Sequence, residues 1–434
     1  MKIHTISGYE KVGGNMTVVE ISGELVILDI GADIERAKDE GKSFGDMKSG
    51  EVVKKKIVPD DSKIKSRRED VVAIIIGHGH LDHCLGIPKL ADAYNCPIIA
   101  TPFAISVIQR LVDDDREDIS SELISLEPGE SMNISDDIEL EFIPVAHSIP
   151  QTVLSVLRTF EGTIVYSLDF KFGENPALEA PVGEDELREL CGEGVKALIS
   201  DCTRADEPGN AGSEVSVKKK LKKILDRSYK DDEGVMITTF SSHIERLKNI
   251  IEANAGRRKV AMLGRSLKEY VKDAEKHSLI DSSNIEITSN QFEVERVLAQ
   301  ASENKSEYLL ITTGSQGEPK AVLPRIARND YPYEFEEDEM VIFSSVTIPT
   351  QTDKLNSSLL KRRLRNQGVK IEERVHSHGH AKREDQRELF QLLEPETVIP
   401  AHGGKDKQSS CARLAREEKI ETRISKNKET ISLD

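Results

Sequence analysis

One stretch narrows the fold more than any other: a buried-strand pattern that runs straight into metal-ligand side chains. Val71 to Ile76 is an unbroken run of Val, Ala and Ile, the pattern of a strand covered on both faces. One residue later comes His78-Gly79-His80-Leu81-Asp82-His83. Four ligand-capable side chains on so short a loop can converge on one point, and two adjacent metal ions need about six to seven such ligands. The remaining candidates also follow apolar runs. Asp29 ends Leu25 to Leu28, His147 follows Ile138 to Val145, and Asp169 follows Ile164 to Leu168. Asp201 follows Ala197 to Ser200, and His402 follows Val398 to Ala401. α/β folds place their sites just past the C-terminal ends of strands. Any one of these residues alone reads as a helix cap or a solvated group; together they read as a site.

The rest of the chain repeats the strand signal. Short Val/Ile-rich runs recur at 235–237, 260–263, 308–311 and 341–343, separated by helical stretches such as Ser241 to Asn254, Ser266 to His277 and Phe292 to Glu303. This alternation predicts an α/β architecture. The length, 434 residues, fits two to three domains. Residues 33–68 read as an irregular charged stretch over the surface, and Tyr331 to Glu339 as an acidic loop. No long apolar run and no signal-peptide pattern occur, which predicts a cytoplasmic protein without a membrane span. The five cysteines, Cys84, Cys96, Cys191, Cys202 and Cys411, form no C-x-x-C pair and read as reduced, mostly buried thiols.

The net charge of −17 argues against a protein that coats nucleic acid, but not against a nuclease with local basic residues. Basic clusters stand at 54–56, 63–68, 218–223, 257–259 and 361–365; each by itself reads as a solvated face. Trp is absent and aromatics are 4%, so extensive base stacking is not favoured.

The histidine pattern resembles the metallo-β-lactamase superfamily, whose signature is H-x-H-x-D-H. The resemblance implies an αβ/βα sandwich with metals at one edge. It implies that His78, His80 and His147 hold one metal, that Asp82, His83 and His402 hold the other, and that Asp169 bridges them. Asp29 matches the acid that orients the ligand loop. More than 230 residues separate Asp169 from His402, whereas lactamases and glyoxalases end soon after these two positions. The interval resembles an inserted β-CASP α/β domain, with Asp201, His380 and His402 as its motifs A, B and C. The expected division is 1–205 and 361–434 for the metallo-β-lactamase domain and 206–360 for the insertion.

Local sequences are similar to the RNase J family, archaeal type. They are Thr313-Gly314-Ser315-Gln316-Gly317-Glu318-Pro319, Phe240-Ser241-Ser242-His243 with Arg246, His376-Ser377-His378-Gly379-His380-Ala381, and Pro400-Ala401-His402-Gly403-Gly404. His378 departs from the family, where Ser is common. The chain opens on the first catalytic-domain strand and closes about 30 residues after His402. A compact form without an N-terminal KH module or a C-terminal extension is therefore expected.

The resemblance implies a ribonuclease that hydrolyses single-stranded RNA with two Zn2+ per chain, Mn2+ being the alternative. It implies 5′ to 3′ exonuclease action from a 5′-monophosphate, with endonuclease action as a further capacity, and a homodimer. Asp82, His380 and Asp201 are the expected catalytic residues. His243, Ser315, His376, Ser377, His378, Gly379 and His380 are the expected RNA contacts. Structural readings stay open for several: His243 as a helix start, Ser315 and Gly317 as a turn, His376 and His378 as packing groups. His4 and His277 read as surface or packing groups. A small-molecule metallohydrolase, a non-catalytic scaffold subunit and a DNA-directed or tRNA-processing nuclease remain the competing functions.

Overall fold

The structure is a computed structural model that describes residues 1–115, 118–172, 184–192, 194–337 and 339–433; for 184–186 and 191 it describes the backbone only. Three sheets account for the strands found among them. The first has seven strands in the order Glu429–Ser432, Lys2–Ser7, Met16–Ile21, Glu24–Leu28, Val71–Ile76, Ile98–Ala100, Leu123–Ser125. The second also has seven: Glu421–Thr422, Thr397–Ala401, Val195–Asp201, Thr163–Ser167, Val153–Thr159, Ile138–Pro144, Ser131–Asn133. One apolar core takes Val26, Leu28, Ala73 and Ile75 from the first sheet and Phe142, Leu157, Tyr166 and Ile399 from the second. A second core lies between the latter sheet and the helices Arg383–Leu393 and Lys405–Glu417, through Val165, Leu198, Leu389, Phe390 and Leu414. This is the layered sandwich that the family resemblance implied.

Register explains where the site falls. Glu24–Leu28 and Val71–Ile76 are adjacent and parallel, with Leu28 beside Ile75. Asp29 and the 78–83 loop therefore leave neighbouring strands in the same direction. On the second sheet Thr163–Ser167, Val195–Asp201 and Thr397–Ala401 are adjacent and parallel, with Asp201 beside Ala401. Asp169, Asp201 and His402 thus emerge side by side. Asp29, Asp169 and His402 have φ of 65°, 56° and 56°. That left-handed conformation turns the chain sharply as it leaves the strand, and Asp, Asn and His adopt it more readily than other side chains.

The third sheet has six parallel strands: Glu286–Thr288, Lys259–Leu263, Tyr308–Thr312, Val235–Thr238, Met340–Phe343, Lys370–Glu372. Its own core includes Met236, Leu263, Leu310, Val341 and Phe343 against Val297, Leu298 and Leu323. Among the described residues it belongs to a second compact unit, Gly212–His378. The changeovers at Ala211/Gly212 and His378/Gly379 lie later than the expected 205/206 and 360/361. The second differs for a clear reason. The helix Gln351–Asn366 buries Leu360 and Leu364 in the third sheet's core, and Lys370–Glu372 pairs with Met340–Phe343.

Residues 33–68 are not irregular. They form two short helices, Ile34–Asp39 and Ser49–Lys54, and three 3-10 turns, and they bury Val52, Ile57 and Ile64. Six-residue helices are too short to show a 3.6-residue period, so the sequence hid them. Of the expected acidic loop, 331–337 is a loop, but Tyr331 and Tyr333 enter the third sheet's core, and Tyr333 donates to the Glu339 carboxylate at 2.8 Å. Cys84, Cys96, Cys202 and Cys411 are free and buried; the Cys191 side chain lies outside the described residues. Among the described residues no helix is long and apolar enough to cross a membrane.

The 78–83 loop is pinned from one side. Asn15 N and Ala32 N donate to the carbonyls of Asp82 and Leu81, and Ile30 N donates to that of His83. This close approach needs a glycine at 31, where a Cβ would stand 1.6 Å from the Asp82 carbonyl oxygen. Gly31→Ala should therefore destabilise the fold by about 3 kcal/mol, the upper end for overpacking. Denaturation midpoints check this, and a loss under about 1 kcal/mol would contradict the contact.

Candidate metal centre

The seven expected ligands meet. His78, His80, His147 and Asp169 each offer an atom within 4.8 Å of the others, and so do Asp82, His83, Asp169 and His402. Asp169 belongs to both groups. Its Oδ2 lies 3.3 Å from His78 Nε2, 3.2 Å from His83 Nε2 and 3.5 Å from His147 Nε2. Its Oδ1 lies 3.4 Å from His402 Nε2. Asp82 Oδ2 stands 3.7 Å from His83 Nε2 and 3.6 Å from His402 Nε2. His80 Nδ1 and His147 Nε2 are 3.1 Å apart.

Three of the rings are held from behind. His83 donates from Nδ1 to Asp29 Oδ2 at 2.6 Å, and Tyr166 donates to the same oxygen at 2.9 Å. His402 donates from Nδ1 to Asn15 Oδ1 at 2.9 Å. His147 donates from Nδ1 to the Gly379 carbonyl at 2.7 Å. A proton fixed on Nδ1 leaves Nε2 as the free lone pair, the arrangement of a ligating histidine. The site passes a direct test of fit. His78 Nε2, Asp169 Oδ1 and His402 Nε2 are buried and make no hydrogen bond. Buried polar atoms are rarely left without partners, and here all three lie at the Asp169 carboxylate.

Electrostatics agree. Burial holds His147 far below its ordinary pKa against the pull of Asp169. Burial, with the neighbouring His78, pushes His80 down to about 3. Burial lowers His83 too, but Asp169, Asp29 and Asp82 outweigh it and raise the ring well above its usual value. Burial would raise Asp169, yet His402, His380 and His83 hold it well below the carboxylate range. Four carboxylates, Asp29, Asp82, Asp169 and Asp201, share a pocket with several neutral imidazoles. Such a pocket favours cations and, without them, repels phosphate.

His380 stands beside this centre. It donates from Nδ1 to Asp201 Oδ2 at 3.0 Å and lies 3.6 Å from Asp169. Asp201 also accepts from Thr203 N at 2.7 Å. Asp169, Asp201 and His380 form a third group of ligand-capable atoms. His380 and Asp82 have side chains about a quarter exposed, whereas those of His83, Asp169 and His402 are closed off.

The expected RNA contacts divide. Gly379 bears on the metal site: a Cβ there would come 2.9 Å from His147 Cε1. His376 and His378 are half-buried, with their rings edge to face at 4.9 Å. His243, Ser315 and Ser377 are buried. His243 accepts from Arg246 N and begins the helix Ile244–Asn254. Ser377 donates to Glu214. Ser315 sits in a turn whose Gly317 has φ of 78° and would carry a Cβ 2.4 Å from the Asn356 carbonyl oxygen. Arg246 anchors this part of the inserted unit. Fully buried, it pairs with both Glu214 carboxylate oxygens through Nε and Nη2, and Nη1 donates to the Ser344 and Val375 carbonyls. His4 is a packing group, bonded to Glu20 and Thr430.

Sequence reasoning missed Asn15, Tyr166 and Thr203. The signal for Asn15 was the Gly13-Gly14 pair before a strand, both with positive φ. Tyr166 could have been found as a hydroxyl in a strand otherwise built for a core.

Fold and site together define a metal-dependent hydrolase of the metallo-β-lactamase superfamily carrying a β-CASP insertion. Residues 9–155 match the metallo-beta-lactamase superfamily, 232–361 the family described as ribonuclease J, beta-CASP domain, and 368–425 the Zn-dependent metallo-hydrolase RNA specificity domain. The chain is 38% identical to ribonuclease J of Methanocaldococcus jannaschii, over 96% of this chain and 94% of that one. It is 37% identical to ribonuclease J of Pyrococcus abyssi, over 96% and 93%. A solved structure of a protein of unknown function from Enterococcus faecalis V583 shares the fold, with TM-score 0.66, 17% identity and 99% coverage of both chains. The chain belongs to the ribonuclease J family.

If Asp29 orients His83 as a ligand, Asp29→Ala should weaken metal retention about 10- to 100-fold. Competition with a chromophoric chelator measures this. Gly379→Ala, which pushes on His147, should act in the same direction; unchanged retention in both variants would contradict these roles.

Proposed function

We propose that this chain degrades single-stranded RNA 5′ to 3′ from a monophosphorylated end, using two Zn2+ ions in the paired site. Family membership makes it a metal-dependent ribonuclease; direction, end preference, metal identity and number are the proposal. The observation that carries it is Asp169, ringed by imidazoles of which His78 and His402 turn a buried Nε2 without a hydrogen bond toward it.

The proposed ligands are His78, His80 and His147 for one ion and Asp82, His83 and His402 for the other, with Asp169 shared. Bound divalent cations supply Lewis acidity, bringing the pKa of water from 15.7 toward about 7 and offsetting charge on a phosphate. A mixed His/Asp set suits Zn2+, and Mn2+ is the alternative.

The chain's own residues supply the rest. Asp82, half-buried at the rim, is placed to orient an attacking water. His380 is proposed to face the scissile phosphate. Burial depresses its pKa, but Asp169 and Asp201 outweigh this and hold it at about 9. Asp201 is not one of the proposed ligands, so its support persists whatever Asp169 binds. With Nδ1 held by Asp201, Nε2 is left to hold a phosphate oxygen or to protonate the leaving one. His376, His378 and Gly379 are proposed to line the RNA path, and His243, Ser315 and Ser377 to shape that segment. A homodimer and a cytoplasmic address complete the proposal, on family resemblance.

His380→Ala should lower kcat about 10²- to 10³-fold, the cost of losing one group that stabilises developing charge. Digestion of RNA carrying a labelled 5′-monophosphate tests direction. Release of mononucleotides from the 5′ end, slowed by a 5′-triphosphate, is expected. Internal fragments without mononucleotides would reject exonuclease action. Stripping the metal should abolish cleavage, and elemental analysis of the purified protein should find two zinc ions per chain.

A further inference from the structure

The helix Glu214–Lys230 begins the inserted unit's described chain order. Its buried residues, Val217, Leu221, Leu225 and Ser228, recur at helical spacing. Its opposite face carries Lys219, Lys220, Lys222, Lys223 and Lys230, all exposed. The helix holds seven basic and two acidic side chains. Neither acid offsets these lysines: Glu214 is buried against Arg246, and Asp226 pairs with Arg257. Lys218 and Arg227 have partners in Glu252 and Glu372. Among the described residues, none of the five exposed lysines has a carboxylate partner.

Several other helices pair their charges, although Gln351–Asn366 is also rich in basic residues. Lys55 pairs with Glu51, Arg265 with Glu269 and Arg387 with Glu384. Like charges three and four residues apart repel on a helix. Lys219, Lys220, Lys222 and Lys223 contain three such pairs, so the run works against the helix that bears it. It also reverses the sign of the field locally on a chain of net charge −17. Near the end of the helix Tyr229 is 48% exposed, with the Arg257 guanidinium 5.5 Å from its ring centre. A lysine track ending at an accessible aromatic ring is suited to sequence-independent binding of single-stranded nucleic acid.

We propose that the exposed face of the helix Glu214–Lys230 is an auxiliary binding surface for the backbone of single-stranded RNA. It involves none of the metal-centre residues, and it anchors polynucleotide beyond the portion being cleaved. The identity of the polyanion rests on the ribonuclease reading above.

The test compares the full-length holoenzyme with a variant in which Lys219, Lys220, Lys222 and Lys223 are each replaced by Gln. KM for an RNA of about 40 nucleotides should rise about tenfold while kcat holds, and both constants should hold for an RNA of about six. Binding of a long phosphorothioate RNA should weaken, and its log–log salt slope should fall by about 3, near 0.7 per lost phosphate contact. Replacing the same four lysines by Arg should preserve both. Equal KM, binding and salt slope in the Gln variant and the wild type would overturn the proposal. So would loss of binding to phosphatidylserine vesicles with RNA binding intact, which would assign the face to a membrane surface. A wild-type enzyme that binds the phosphorothioate RNA through these lysines but cleaves no RNA would overturn the ribonuclease reading and leave this surface standing.

Discussion

The structure is organised around an electrostatic problem that protein atoms do not solve by themselves. Asp169 is buried among imidazoles that face its oxygens at 3.2 to 3.5 Å. Several of these imidazoles have their other nitrogen committed to Asp29, Asn15 or the Gly379 carbonyl. The groups behind the site thus decide which lone pairs face inward. Burying acids and bases together without full pairing costs free energy. Such a pocket fits a cation, which would complete its pairing.

The sequence carried the parts of this arrangement that depend on local pattern. Val71 to Ile76 announced a strand, and 78–83 announced its cargo. The strands before Asp29, Asp169, Asp201 and His402 were also legible, and parallel register then brings those residues to one edge. What was not legible depends on tertiary contact. Asn15 is an ordinary residue until the chain brings it to His402, 387 positions away. The short helices in 33–68 leave no periodicity to read. The end of the inserted unit was placed too early, since the membership of the helix Gln351–Asn366 is decided by the tertiary contacts of buried Leu360 and Leu364.

The inserted unit shows a different use of buried charge. Arg246 and Glu214 are paired out of reach of solvent, and together they fasten Ser344, Val375 and Ser377. A buried ion pair adds little stability against an apolar alternative. Its value here lies in specifying one arrangement of the 375–378 segment. The buried serine and histidine of the similar motifs belong to this scaffold, which accounts for residue patterns that sequence comparison alone assigns to substrate.

The left-handed exits at Asp29, Asp169 and His402 reach beyond geometry. A β-branched replacement there would be strained in its backbone as well as chemically wrong, so loss of ligand and loss of the turn would be confounded. Asparagine tolerates the same backbone. Exchange of either aspartate for asparagine therefore removes a charge while sparing the bend. The turn at His402 has no comparably clean substitute, since asparagine removes the imidazole along with its reach. Charge and shape are separable on the acidic side of this centre and inseparable on the side that His402 closes.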